Sequence, residues 1–192
     1  MTLYYNLTFF TDWHCGSGLA AGADVDTLVV KDKNGLPFVP GKTLKGLIRE
    51  AVEELISLKG DNSYPLFLET FGFFNDKDEL IKGRAFFSNA ELSEKERLAI
   101  VAKNLQPFLY RKLSSTAIGE DGIAKEHSLR KMEVAVPCTL EGFISGLPED
   151  KDFTTLMKEG LLFIKRLGQN RNRGLGRCSF TVKSVENESP EI

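Results

Sequence analysis

The sequence predicts an α+β fold in which one antiparallel sheet carries helices on a single face. Three observations lead there. Residues 2–11 alternate, with Leu3, Tyr5, Leu7 and Phe9 on one side, as a half-buried strand does. Two stretches place apolar residues at helical spacing: Leu44, Leu47, Ile48, Ala51, Leu55 and Leu58, then Phe153, Leu156, Met157, Leu161, Ile164 and Leu167. Strand-like runs at 83–92, 134–144 and 178–182 fall between and after them. The resulting order, β-α-β-β-α-β, is the ferredoxin-like split βαβ arrangement, a fold that hosts many functions.

In chain order, the first strand leads to a loop rich in Gly, Ala and Ser, from Trp13-His14-Cys15-Gly16-Ser17-Gly18 to Asp24. Residues 26–31 are strand-like, Asp32-Lys33-Asn34-Gly35 is a turn, and 36–40 return as a hairpin. Pro40-Gly41 opens the first helix. Its early turns hold Lys42, Lys45 and Arg49, and Glu50, Glu53 and Glu54 come only later. That order opposes the helix dipole and suits an external anion at the N-terminus, where backbone N–H groups point outward. The aromatic stretch 64–74 is expected to be irregular, with its phenylalanines in the core. Ser93-Glu94-Lys95-Glu96 is a capping box, so a helix should run over 94–106, before Pro107. The pattern fades over 114–131, which predicts a projecting loop or hairpin of the kind that carries function. Residues 1–186 should form a single domain with that insertion, and 187–192 a frayed tail.

Composition narrows the class. The 192 residues are 42% hydrophobic, enough for one compact domain. No apolar run approaches the roughly 18 residues of a membrane span, and Met1-Thr2-Leu3-Tyr4-Tyr5-Asn6 lacks the features of a signal peptide. Cys15, Cys138 and Cys178 are odd in number and widely spaced, which argues for a reducing cytoplasm and against a disulfide scaffold or zinc site. The net charge of −2 is not the footprint of a generic nucleic-acid binder, but the distribution is uneven. Residues 161–185 contain Lys165, Arg166, Arg171, Arg173, Arg177 and Lys183 and no acid. Such a basic face on a neutral body fits one anionic partner.

Within that face, Leu167-Gly168-Gln169-Asn170-Arg171-Asn172-Arg173-Gly174-Leu175-Gly176-Arg177 combines glycines, which let backbone approach a ligand, with arginine forks that match phosphate oxygens. It reads as a positively charged, backbone-lined turn for a polyanion. Gly41-Lys42-Thr43 invites a phosphate-loop reading that fails. The motif puts four residues between an earlier glycine and the Gly-Lys pair, whereas five residues, two of them prolines, separate Gly35 from Gly41. His14 beside Cys15 is more simply a hydrogen-bonding or stacking residue than a catalyst, since His127 is the only other histidine. Asp24 and Asp26 flank the first glycine loop, and each could bind a divalent metal or position a 2′-hydroxyl.

Four segments together carry a resemblance: His14-Cys15-Gly16-Ser17-Gly18; the run from Asp26 through Gly35-Leu36-Pro37-Phe38-Val39-Pro40-Gly41-Lys42-Thr43-Leu44-Lys45-Gly46 to Arg49; the strand 83–92; and Arg173-Gly174-Leu175-Gly176-Arg177. In this order they resemble the RAMP (repeat-associated mysterious protein) superfamily of CRISPR systems. The nearest likeness is to the repeating backbone subunit of type III effector complexes. The resemblance implies a modified ferredoxin-like or RRM-like fold that polymerises along a CRISPR guide RNA, with a thumb hairpin kinking the guide–target duplex.

The implied guide-backbone contacts are His14, Gly16, Ser17, Gly18, Lys42, Thr43, Lys45, Arg49, Arg171, Arg173, Gly174, Gly176 and Arg177. The implied catalytic residue is Asp26, acting with a divalent metal, Mg²⁺ first, to help a 2′-hydroxyl of the target RNA attack its phosphate; guide binding itself needs no cofactor. The implied partners are guide RNA, complementary target RNA and other RAMP-type subunits, copies of this chain included, in a prokaryotic cytoplasm. The chain departs from the family pattern at Lys42-Thr43, where two serines are usual, at the bulkier Trp13-His14-Cys15, and in its short length. Two alternatives stay open: a guide-binding subunit without cleavage, and a metal-independent guide-processing endoribonuclease using His14.

Overall fold

A computed structural model describes residues 1–22, 24–60 and 62–186; the expected tail, 187–192, lies outside them. The strands and helices are β1 (Thr2–Phe9), α1 (Gly41–Lys59), α2 (Tyr64–Phe71), β2 (Gly72–Phe74), β3 (Leu80–Lys82), β4 (Phe86–Phe87), α3 (Glu94–Ala102), β5 (Tyr110–Ser115), β6 (Arg130–Ala135), β7 (Thr139–Ser145), α4 (Lys151–Phe163) and β8 (Cys178–Glu186). The main sheet has the order β4-β7-β1-β8 with every pair antiparallel. Leaving the β2–β3 and β5–β6 hairpins aside, this is the expected ferredoxin-like order.

Alternation in β1 does what period two requires. Leu3, Tyr5, Leu7 and Phe9 are buried and join Leu44, Ile48, Val52, Phe153, Met157 and Leu161 in one core. Burying a side chain of this size stabilises by roughly 1.5–3 kcal/mol, which outweighs any cap or surface pair in holding α1 and α4 against the sheet. Among the described residues no helix is long and apolar enough to cross a membrane.

Several elements differ from the sequence expectation. The 26–40 hairpin keeps its turn, with Gly35 N donating to Asp32 O at 3.0 Å and the Asp32 carboxylate accepting from Asn34 N and Leu36 N. Its two arms meet only at the Lys31–Pro37 bridge. Pro37 and Pro40 have no N–H for a longer ladder, and 28–30 bond instead to the first glycine loop, through Ser17 N to Leu28 O (2.9 Å), Leu28 N to Leu19 O (3.0 Å) and Val30 N to Cys15 O (2.8 Å). The aromatic stretch after Ser63 is helix α2, started by Pro65 in its first turn; Phe67 and Phe71 are in the core as expected, whereas Phe74, past the helix on β2, is exposed.

Over 83–92 only Phe86–Phe87 is strand, because Ala90 turns aside to exchange two hydrogen bonds with Val39. Helix α3 has its capping box but stops at Ala102, and Asn104 takes a left-handed conformation (φ 51°) before a 3₁₀ turn at Gln106–Leu109. The run 134–144 is divided between β6 and β7 around Pro137, which cannot donate to a ladder. β5 and β6 pair from Tyr110–Ala135 outward to Ser115–Arg130, so 114–131 is the outer part of a longer hairpin.

Candidate nucleic-acid interface

The second glycine stretch becomes a closed loop laid across the first. Its stem is a short antiparallel pairing, with Leu167 N on Gly176 O and Cys178 N on Lys165 O, both at 2.9 Å. Gly168 (φ 99°) and Gly176 (φ 66°) need the left-handed region, and both lack room for a side chain. A Cβ on Gly168 would lie 2.5 Å from His14 O, and one on Gly176 would strike the Leu167 carbonyl. Close approach lets Gln169 N donate to His14 O (2.9 Å) and Gly176 N to Asp12 O (2.8 Å). At the tip, Arg171–Arg173 form a 3₁₀ turn, and the Arg166 guanidinium donates to Arg171 O at 3.0 Å.

The first glycine loop is anchored by Trp13, which stacks on Phe9 at 4.4 Å, exchanges backbone hydrogen bonds with Ala135 and donates Nε1–H to Val136 O (3.1 Å). His14 follows and is fully buried. Its Nδ1 lies 2.6 Å from Glu133 O. A carbonyl can only accept, so Nδ1 carries the proton. Nε2 is buried without a partner among the described residues, and a Cβ on Gly16 would sit 3.2 Å from both Nε2 and the Gln169 amide nitrogen. An orphaned polar atom of this kind calls for an explanation, and a ligand is one.

At the start of α1, Pro40 is the N-cap, no side chain caps it and the first turn holds no acid. The N–H groups there are less available than expected: Asn89 Oδ1 takes Gly41 N (2.9 Å), while Thr43 N and Leu44 N fold back on Pro40 O. The dipole and the Lys42 charge remain.

These three pieces enclose a cleft of about 310 Å³ lined by His14, Cys15, Gly16, Pro40, Lys42, Thr43, Leu47, Gly168, Gln169 and Arg171. Of the residues anticipated from sequence, the cleft unites His14, Gly16, Lys42, Thr43 and Arg171. The others lie outside its lining. The Ser17 hydroxyl donates to Leu28 O (3.0 Å) and accepts from Leu19 N (3.1 Å). Arg49 donates to Gly72 O at 3.2 Å and lies over the Phe67 ring. Gly176 is buried in the loop stem, and Arg177 lies over Phe10. Gly18, Lys45, Arg173 and Gly174 are not in the lining. Sequence reasoning missed Gln169 as a wall residue. Its place between Gly168 and Asn170 was the available signal.

Asp26 is exposed beside Lys131, near the outer end of the β5–β6 ladder. Its N–H donates to Lys131 O (2.8 Å), and its Oδ2 accepts from Lys131 N (2.7 Å). Asp24 is engaged with Lys112 Nζ at 2.5 Å; that hydrogen bond first, and the Lys112 and Lys131 charges after it, hold its carboxyl below the usual range. Among the described residues no three His, Cys, Asp or Glu side chains group as a metal cage. The one available Asp26 oxygen fits a Mg²⁺ held chiefly by RNA phosphates and water, and does not fit a protein-built centre.

The chain is similar to several known proteins. Two curated relatives are both called CRISPR system Cms endoribonuclease Csm3. The one from Streptococcus thermophilus is 28% identical over 188 residues, covering 88% of this chain and 82% of the relative. The one from Mycobacterium tuberculosis is 27% identical over 192 residues, covering 86% and 79%. Chains from cryo-EM structures of the type III-B Cmr-beta complex share the fold. With cognate target RNA bound the TM-score is 0.70 at 10% identity, covering 95% of this chain and 97% of that one, and in the apo state it is 0.67 at 12% identity over the same shares. The family model of the RAMP superfamily matches residues 6–179, so the chain belongs to the RAMP superfamily.

Proposed function

We propose that this chain binds a CRISPR guide RNA as a repeating backbone subunit of a type III effector complex and cuts complementary target RNA at Asp26. The observation that carries the binding half is the cleft where Lys42, Arg171 and the start of α1 stand over the buried His14 ring. Cations, a helix N-terminus and a glycine-lined wall take backbone phosphates without reading bases, as a guide of variable sequence requires. With its Nδ1–H committed to Glu133, the buried His14 ring is fixed behind the Gly16 and Gln169 wall of the cleft.

The cutting half is supported by the endoribonuclease relatives and by Asp26, whose carboxylate is exposed beside Lys131 on the projecting hairpin. In this reading the 2′-oxygen of a target nucleotide attacks the adjacent phosphorus and the 5′-oxygen leaves. The products are a 2′,3′-cyclic phosphate and a 5′-hydroxyl. Asp26 assists removal of the 2′-proton. Asp26 is the residue that would help to hold a divalent cation, which would supply charge neutralisation for the reaction. Other RAMP-type subunits, copies of this chain among them, complete the assembly in a prokaryotic cytoplasm.

The test uses the complex assembled on guide RNA. Lys42→Ala should weaken guide binding uniformly and lower the slope of log Kd against log salt by about 1. Asp26→Ala should leave guide binding within about twofold and slow target cleavage by at least about 100-fold, the scale on which catalytic groups act. Cleavage by Asp26→Ala at the wild-type rate would reduce the protein to a binding subunit. Cleavage of repeat RNA in EDTA that depends on His14 would make it a processing enzyme.

A further inference from the structure

We infer that Glu133 is the positioning residue through which guide occupancy of the cleft sets the placement of Asp26; this rests on the function proposed above. Glu133 lies on β6, and all its polar groups are committed. Its carbonyl receives the His14 Nδ1–H at 2.6 Å. Its N–H donates to Thr27 O at 3.0 Å. Its carboxylate bridges Val29 N, at 3.1 Å from Oε2, and Lys31 Nζ, at 2.8 Å from Oε1. Two residues away on the same face of the strand, Lys131 holds Asp26 by both its N–H and its carbonyl.

A strand segment three residues long therefore carries the cleft's histidine at one end and the cutting carboxylate at the other. The Glu133 carboxylate clamps 26–31 to that segment from the side. It is not an idle surface charge, since its side chain is only 14% exposed, and Lys31 is itself held 3.9 Å over the Tyr110 ring of β5. A ligand that fills the cleft presses on the Gly16 and Gln169 wall beside His14 Nε2, and so acts on the Glu133 carbonyl through the buried ring. Because Glu133 and 26–31 are tied together at Thr27, Val29 and Lys31, the shift reaches Asp26 rather than dissipating in the loop.

Glu133→Gln tests this in the assembled complex. The amide oxygen can still accept from Val29 N, but its NH₂ cannot pair with Lys31. Guide Kd and target KM should stay within about twofold, while kcat falls about tenfold, the signature of a lost orientation rather than a lost contact. The companion readout is amide hydrogen exchange, which needs no cleavage. In the wild type, guide binding should slow exchange at Val29 and Lys131 several-fold, and in Glu133→Gln that slowing should vanish. Should Glu133→Gln fail to fold, Lys31→Met, made at the exposed end of the pair, carries the same two measurements. Wild-type kcat in either folded variant, or no effect of guide on the two amides in the wild type, overturns the inference. If instead Asp26→Ala cuts as fast as wild type, the cutting reading falls while the exchange experiment still judges the link.

Discussion

Each of the three cysteine thiols is shielded. Burial pushes Cys15 up to about 12, helped by the neighbouring Cys178, and pushes Cys138 and Cys178 up to about 11, all from an ordinary value of 9.0. Above about pH 9 the unfolded chain gives up these protons while the folded protein retains them, so stability falls as pH rises. Each thiol contributes a slope of about 1.4 kcal/mol per pH unit toward pH 11. Urea denaturation at pH 8, 9.5 and 10.5 should show this decline, and Cys178→Ser should make it shallower. The spacing of these residues was legible in the sequence, but their burial was not. The same holds for His14: its residue type and loop were legible, while the carbonyl that fixes its tautomer comes from a strand 119 positions away, a pairing that no local pattern encodes.

At the scale of elements, local chemistry and context divide the outcome. The Ser93–Glu96 capping box is written entirely within four residues and forms as read, with Glu96 N on Ser93 Oγ and Ser93 N on Glu96 Oε2. Helix α3 buries no residue, so the cap is a main local support. Ser93→Ala should cost about 1 kcal/mol in urea denaturation, and Ser93→Asp should restore most of it. The stretch at 64–74 was misread because its aromatics show no clean period, and only packing of Phe67 and Phe71 against the core selects a helix. Arg49 was assigned to the guide for its place in α1, yet Gly72 O and the Phe67 ring, both on later elements, claim its guanidinium.

For the whole molecule, the order of amphipathic elements was sufficient to give the sheet topology, because β1 and the two long helices each carry an unambiguous buried face. The hairpin that interrupts this plan contributes nothing to the core beyond its base: 111–131 hold no buried residue, while Val134 and Ala135 do. Replacing 116–129 by Asn-Gly, a turn that closes a two-residue hairpin, should leave stability within about 0.5 kcal/mol, the range of surface changes. Calorimetry checks this. The same variant should still bind guide RNA through the cleft while losing regular target cleavage, which separates the body from its projecting arm.

Main-chain bonds tie the two glycine loops together, His14 O with Gln169 N and Asp12 O with Gly176 N. Since no side chain writes those bonds, the wall can change its chemistry without changing its shape. Positions 169, 171–173 and 175 are open to drift, whereas Gly168 and Gly176 have no room for a Cβ and Asn170 (φ 55°) and Gly174 (φ 89°) hold left-handed backbone. Mutation can therefore strengthen or weaken the grip on a polyanion one charge at a time without risking the fold, so the interface is evolvable at little cost to its architecture.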